Sequence, residues 1–185
     1  MIDDKDLMTR RMTEWSRGIA QLDLPDWDKL PQLELYMDQV IILLTQYLAP
    51  LTRGEDEKAI TASTINNYVR MKVMPPPVKK KYARLHLAYL IVICILKQNL
   101  SISCIQRMLP AQGGEENIRQ FYNSFVAEYR SAAQSFLRQV DAAAASPQPD
   151  QGGSAVTSAA ILSNLAKSLT EFLLQKEDSV DEDDD

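Results

Sequence analysis

Between Lys58 and Gly114 the chain has no aspartate or glutamate at all. Histidine is nearly absent too, with His86 standing alone, and the only cysteines are Cys94 and Cys104. A zinc site needs about four nitrogen or sulfur ligands at close spacing, so these residues exclude one and read as reduced thiols in a core. The longest apolar run, Leu87 to Leu96, is interrupted by Tyr89 and falls short of the roughly 20 residues that span a bilayer. No glycine-rich phosphate loop occurs, no nucleophile stands in a motif with a base, and no carboxylates cluster on a shared face. Asp38 is a lone acid on an apolar helix. No enzyme, cofactor or membrane partner is expected, and the acidic start Met1 to Asp6 is unlike a secretory leader. A cytoplasmic location is the expectation.

The acid-free segment is rich in cations: Lys58, Arg70, Lys72, Lys79, Lys80, Lys81, Arg84, Lys97 and Arg107. All 25 carboxylates therefore lie outside it, with the remaining 11 of the chain's 20 basic residues. The net charge of −5 conceals this segregation. A segment cleared of carboxylates in an acidic chain fits against a polyanion, and the DNA backbone is the commonest one.

The hydrophobic spacing is helical nearly throughout, which predicts an all-α fold. Residues 1–29 read as an amphipathic helix ending near Gly18 to Leu22, followed by a connector through Trp27. A second helix is expected over Leu33 to Ala49, closed by Pro50, then a polar loop from Thr52 to Glu57. Thr61 has the chemistry of a helix N-cap, with Ile60 and Ile65 placed as a hydrophobic staple. That short helix must end before Pro75-Pro76-Pro77. Val78 to Tyr82 suits a small hairpin or wing. Leu85 to Gln98 should be a helix buried on most of its circumference, and Ser101 should cap another. The positions Ile118, Tyr122, Phe125, Tyr129, Ala132 and Phe136 form a heptad-like stripe in a helix over 113–145, fit for a core or a dimer interface. Residues 146–154 read as a linker, 155–176 as a last amphipathic helix, and 177–185 as a disordered acidic tail. That tail carries seven carboxylates, serving solubility or competing with DNA for the basic segment.

The run from Thr61 to Pro77 resembles the recognition helix of MerR-type regulators, where a Thr-hydrophobic pair, a tyrosine and an arginine precede a proline exit. Lys80-Lys81-Tyr82 resembles that family's wing, Leu87 and Leu90 its core leucines, and Asn99 to Leu109 its closing element. Residues 30–110 further resemble a bacterial domain-of-unknown-function family, number 1836. Leu35 to Val40, Ile65 to Val69 and Leu87 to Ile91 carry that likeness. The resemblance implies a MerR-like winged helix-turn-helix over 30–112 with flanking amphipathic helices. Lys72 replaces the glycine usual at the helix exit. Ala83 and His86 replace a serine and an acidic residue, and Ser63 and Asn67 stand where the family has arginine and tyrosine.

With Ile65 set inward, Tyr68 and Val69 fall near it, while Ser63, Asn67 and Arg70 point the opposite way with Asn66 on the flank. Asparagine can pair bidentately with adenine, and arginine with guanine or phosphate. The candidate DNA-binding residues are Ser63, Thr64, Asn66, Asn67, Arg70, Lys79, Lys80, Lys81, Tyr82 and Arg84. The plain alternatives are a solvated face for Asn66 and Asn67, a soluble loop for the lysines, a core or hinge role for Tyr82, and a surface or partly packed position for His86. The expected function is sequence-specific binding of double-stranded DNA and transcriptional regulation by a homodimer. The alternative is a helical protein-interaction module of the same fold that does not read DNA.

Overall fold

The computed structural model describes residues 4–51, 60–110, 114–145 and 151–176, with side chains described for most of these. The protein is all-α. Seven α-helices are described: α1 Asp4–Ala20, α2 Met37–Tyr47, α3 Ala62–Arg70, α4 Arg84–Leu96, α5 Ile102–Met108, α6 Glu115–Ala145 and α7 Gln151–Lys176. Short 3-10 turns at Trp27–Lys29 and Ala49–Leu51 bracket α2. Extended pairing among the described residues is limited to two antiparallel bridges, Leu35 with Tyr82 and Val78 with Lys81.

The centre is α4. Every residue from His86 to Cys94 is buried, so the helix has no solvent face in its middle. A helix apolar on all sides is stable only when neighbours cover each of them. Val40 and Leu44 of α2, Ile65 and Tyr68 of α3, Ile105 of α5, and Ile118, Tyr122 and Val126 of α6 join it in one core cluster. Burial pushes the Cys94 thiol up to about 12, which keeps it protonated.

The first part of the α6 stripe is spent inside this fold. Ile118 and Tyr122 are buried, Phe125 and Tyr129 pack against the core, and α6 runs across both α4 and α1. Phe136 meets Trp15 edge to face at 6.1 Å, and Ser16 Oγ donates to Asp141 Oδ1 at 2.7 Å, so α1 lies along the C-terminal half of α6. The same helix grips the connector after α1. Tyr122 donates its hydroxyl to the Pro25 carbonyl at 2.8 Å, and Asn123 Oδ1 accepts from the Trp27 amide at 3.1 Å. Arg130 donates to Asp26 Oδ1 at 2.7 Å and to the Leu24 carbonyl at 2.6 Å, and meets Asp23 at 3.1 Å. The hydrogen bond from Arg130 is the main cause that holds the Asp26 carboxyl below its ordinary value.

Several boundaries differ from the sequence expectation. α2 begins at Met37 rather than Leu33, because Leu35 is drawn into backbone pairing with Tyr82. α7 begins at Gln151, taking in part of the expected linker. The polar loop, Lys58 and the acidic tail fall outside the described residues.

Tyr122→Phe removes the buried donor to the Pro25 carbonyl while keeping the ring. It should lower stability by about 1–3 kcal/mol, seen as a reduced urea midpoint with an unchanged slope. An unchanged midpoint would show that this bond does not hold the connector.

Candidate nucleic-acid interface

The start and end of α3 are both chemically explicit. The Thr64 amide donates to Thr61 Oγ1 at 3.2 Å, and Ile60 and Ile65 are buried as the expected staple. At the exit, the Val73 amide bonds the Tyr68 carbonyl and the Lys72 amide bonds the Val69 carbonyl, both at 3.0 Å. This is the Schellman arrangement, and Lys72 takes its left-handed position with φ of 57°. The usual glycine is therefore replaced without loss of the turn. Gln106 of α5 adds a donor from outside, its amide lying 3.3 Å from the Lys72 carbonyl.

Ile65 and Tyr68 face inward, and the other side of α3 faces out. Ser63, Thr64, Asn66, Asn67 and Arg70 together line an open concavity of about 630 Å3. Arg70 Nη2 donates to Asn67 Oδ1 at 2.6 Å, which orients the amide and leaves the rest of the guanidinium fork available. Hydroxyls, amides and one cation make up this face, with no carboxylate on the helix. Such groups can donate to and accept from base edges and donate to phosphate.

The hairpin after the prolines is as short as a hairpin can be. Val78 and Lys81 exchange backbone hydrogen bonds at 2.9 and 3.1 Å around a two-residue turn. Both turn residues have positive φ, 49° for Lys79 and 63° for Lys80. That is the type I′ turn, whose favoured sequence is Asn-Gly. A left-handed non-glycine residue costs on the order of 1–3 kcal/mol. Among the described residues the three that bear this cost outside glycine are Lys72, Lys79 and Lys80, all exposed.

Residues 25–125 match the family model described as Domain of unknown function (DUF1836). The match spans more than half of the 185 residues. This chain belongs to the DUF1836 family. No curated protein and no solved structure matches it. The DUF1836 region extends beyond the sequence likeness at 30–110, from Pro25 to Phe125, and so includes both ends of the Tyr122 to Pro25 hydrogen bond.

Not every candidate residue in the DUF1836 domain faces outward. The sequence expectation grouped Tyr82 and Arg84 with the lysines, but neither shares the exposure of Lys79 and Lys80. Tyr82 is 2% exposed, because its backbone pairs with Leu35 and its ring turns into the core. Arg84 opens α4, but its guanidinium lies 5.7 Å from the Trp27 ring centroid, and its Nη1 is 3.9 Å from Asp28. Its side chain is only 14% exposed, with Nε and Nη2 buried and unpaired. Lys81 is half-exposed, 3.8 Å from Glu34 and over the Tyr36 ring. Arg70, Lys79 and Lys80 keep their charge unpaired by any carboxylate among the described residues.

His86, expected at or near the surface, is 3% exposed. Its Nδ1 accepts from the Ala83 amide at 2.9 Å, which requires the neutral ring and leaves Nε2–H to donate to the Pro76 carbonyl at 3.2 Å. One side chain thereby fastens both ends of the hairpin, and its ring meets Tyr82 edge to face at 5.5 Å. The third residue of α4 thus caps the helix start, where Ala83 at the N-cap has no side chain that could do so. Gln106 and His86 are the positioning residues that the sequence did not announce. The position of His86 three residues after Ala83 was the available signal.

Burial lowers the His86 pKa below its ordinary 6.5. The unfolded chain then binds the proton more readily, so the stability from neutral His86 is present above about pH 6.5 and is lost as the pH falls below it. His86→Gln removes this titration while keeping an acceptor for Ala83. The parent's stability advantage over the variant should shrink between about pH 7.5 and about pH 5.5. An advantage that does not change would mean that His86 is not held neutral.

Proposed function

We propose that this DUF1836 protein is a sequence-specific DNA-binding transcriptional regulator with a MerR-like winged helix-turn-helix. α3 reads the major groove, and the Lys79-Lys80 hairpin contacts the neighbouring backbone as the wing. The observation that carries this reading is the outward face of α3. Ser63, Thr64, Asn66, Asn67 and Arg70 line one concavity, in a segment that contains no carboxylate. The element order supports it, with α2, α3, a two-residue hairpin, α4 and α5 following the layout of a winged domain. The three left-handed lysines support it further. A strained position filled by a cation, where glycine would be easier, is understandable if the charge is used.

The reading unit is a homodimer, because one short helix covers too few base pairs for a specific site. Phosphate contacts from Lys79 and Lys80 position the protein, and Arg70 with the asparagines discriminates bases. The competing reading is a helical module whose basic face docks an acidic protein. Lys81 and Arg84 already meet the carboxylates of Glu34 and Asp28, which favours it.

Fluorescence anisotropy on labelled duplexes over a salt series separates the two. Lys79→Ala and Lys80→Ala should each weaken binding to every duplex and flatten the log affinity against log salt slope by about one. Arg70→Ala should cost about 1–3 kcal/mol on a preferred duplex and relax the preference at that position. Duplex affinity equal to the parent's in all three folded variants would leave the protein-docking reading.

A further inference from the structure

The last helix is turned the wrong way for a solitary chain. α7 meets the body through α5, where Arg107 Nη2 donates to the Leu174 carbonyl. The half-buried positions of α7 are Lys167, Thr170, Glu171 and Leu174, a mostly polar stripe. Ile161, Leu162, Leu165, Leu169, Phe172 and Leu173 lie away from it, each between 53% and 59% exposed. The helix docks by its polar flank and leaves its apolar one in water. At the packing cost of exposed leucine and phenylalanine, such a face calls for a cover.

We propose that the cover is α7 of a second copy of this chain, so that the protein dimerises through this helix. Leu162, Leu165, Leu169 and Phe172 step by three, four and three, the spacing of a two-helix seam. Six large apolar side chains on one helix face, each more than half exposed, make a contiguous patch of the kind that marks an interaction site. Charge favours a like partner. Between residues 156 and 175 the only charged side chains are Lys167 and Glu171, which pair with each other at 4.0 Å on the other flank. Two copies can therefore meet without burying a charge or opposing like charges, and the same patch serves both sides of a twofold interface. A foreign partner chosen by charge finds nothing on this face to read. In the other seam, that of α6, Ile118, Tyr122, Phe125 and Tyr129 are taken up by the core, and Phe136 meets Trp15 edge to face.

Sedimentation of the full chain without DNA tests this independently of any DNA binding. At tens of micromolar the parent should run as a dimer, and Leu165→Glu with Leu169→Glu should run as a monomer. The cooperative melt of the variant should persist, because these side chains lie outside the core. Should the melt be lost, Leu165→Ser with Leu169→Ser repeats the comparison without added charge. A monomeric parent overturns the proposal, including one whose α7 captures a different protein. A dimer that persists in the folded double variants overturns it as well.

Discussion

The burial of α4 on all sides is the constraint from which the rest follows. Nine consecutive residues, His86 to Cys94, are removed from water, so every neighbouring element must present an apolar stripe to this one helix. α2 and α3 supply theirs from before it in the sequence, α5 and α6 from after it. The connector at Pro25 and Trp27 is pulled in by the same logic. α6 must lie across α4 to cover it, and the polar groups on the far part of α6, Asn123 and Arg130, then hold that connector in place. The family match from residue 25 to residue 125 takes in the connector, α4 and the part of α6 that carries Ile118 and Tyr122.

The candidate interface hangs from that core through few contacts. α3 is held by Ile65 and Tyr68 inside and by Gln106 at its exit, which leaves its opposite side unencumbered. The hairpin is held at its base by Leu35, by His86 and by the buried ring of Tyr82, so its two-residue tip projects on a fixed support. A rigid base under a strained, doubly cationic tip suits a surface that must meet a regular array of phosphates without being reordered on binding.

Much of this was legible in the sequence because the signals were local. Thr61, Ser101, the three prolines and the apolar run from Leu87 each have a mechanism that acts within a few residues, and the caps and the short hairpin were found where expected. What stayed hidden depends on partners distant in sequence. Arg84 looks like one more cation of a basic run until Trp27 and Asp28 are brought beside it. Tyr82 looks like a wing aromatic until pairing with Leu35 fixes which way it turns. The heptad-like stripe of α6 fits a core or a dimer seam in one dimension, and the covering of α4 takes Ile118, Tyr122, Phe125 and Tyr129 into or against the core. Conversely, the last helix reads as an ordinary amphipathic one, and only its placement against α5 shows which flank is left uncovered.

The central claim is that the outward face of α3 distinguishes base sequences. Selection of bound duplexes from a fully randomised pool by the full-length protein tests it most directly. The account predicts enrichment of a two-half-site motif related by twofold symmetry, with purine positions suited to asparagine and arginine in each half. Recovery of duplexes with no enriched sequence, at a salt concentration where the protein still retains DNA, would contradict it.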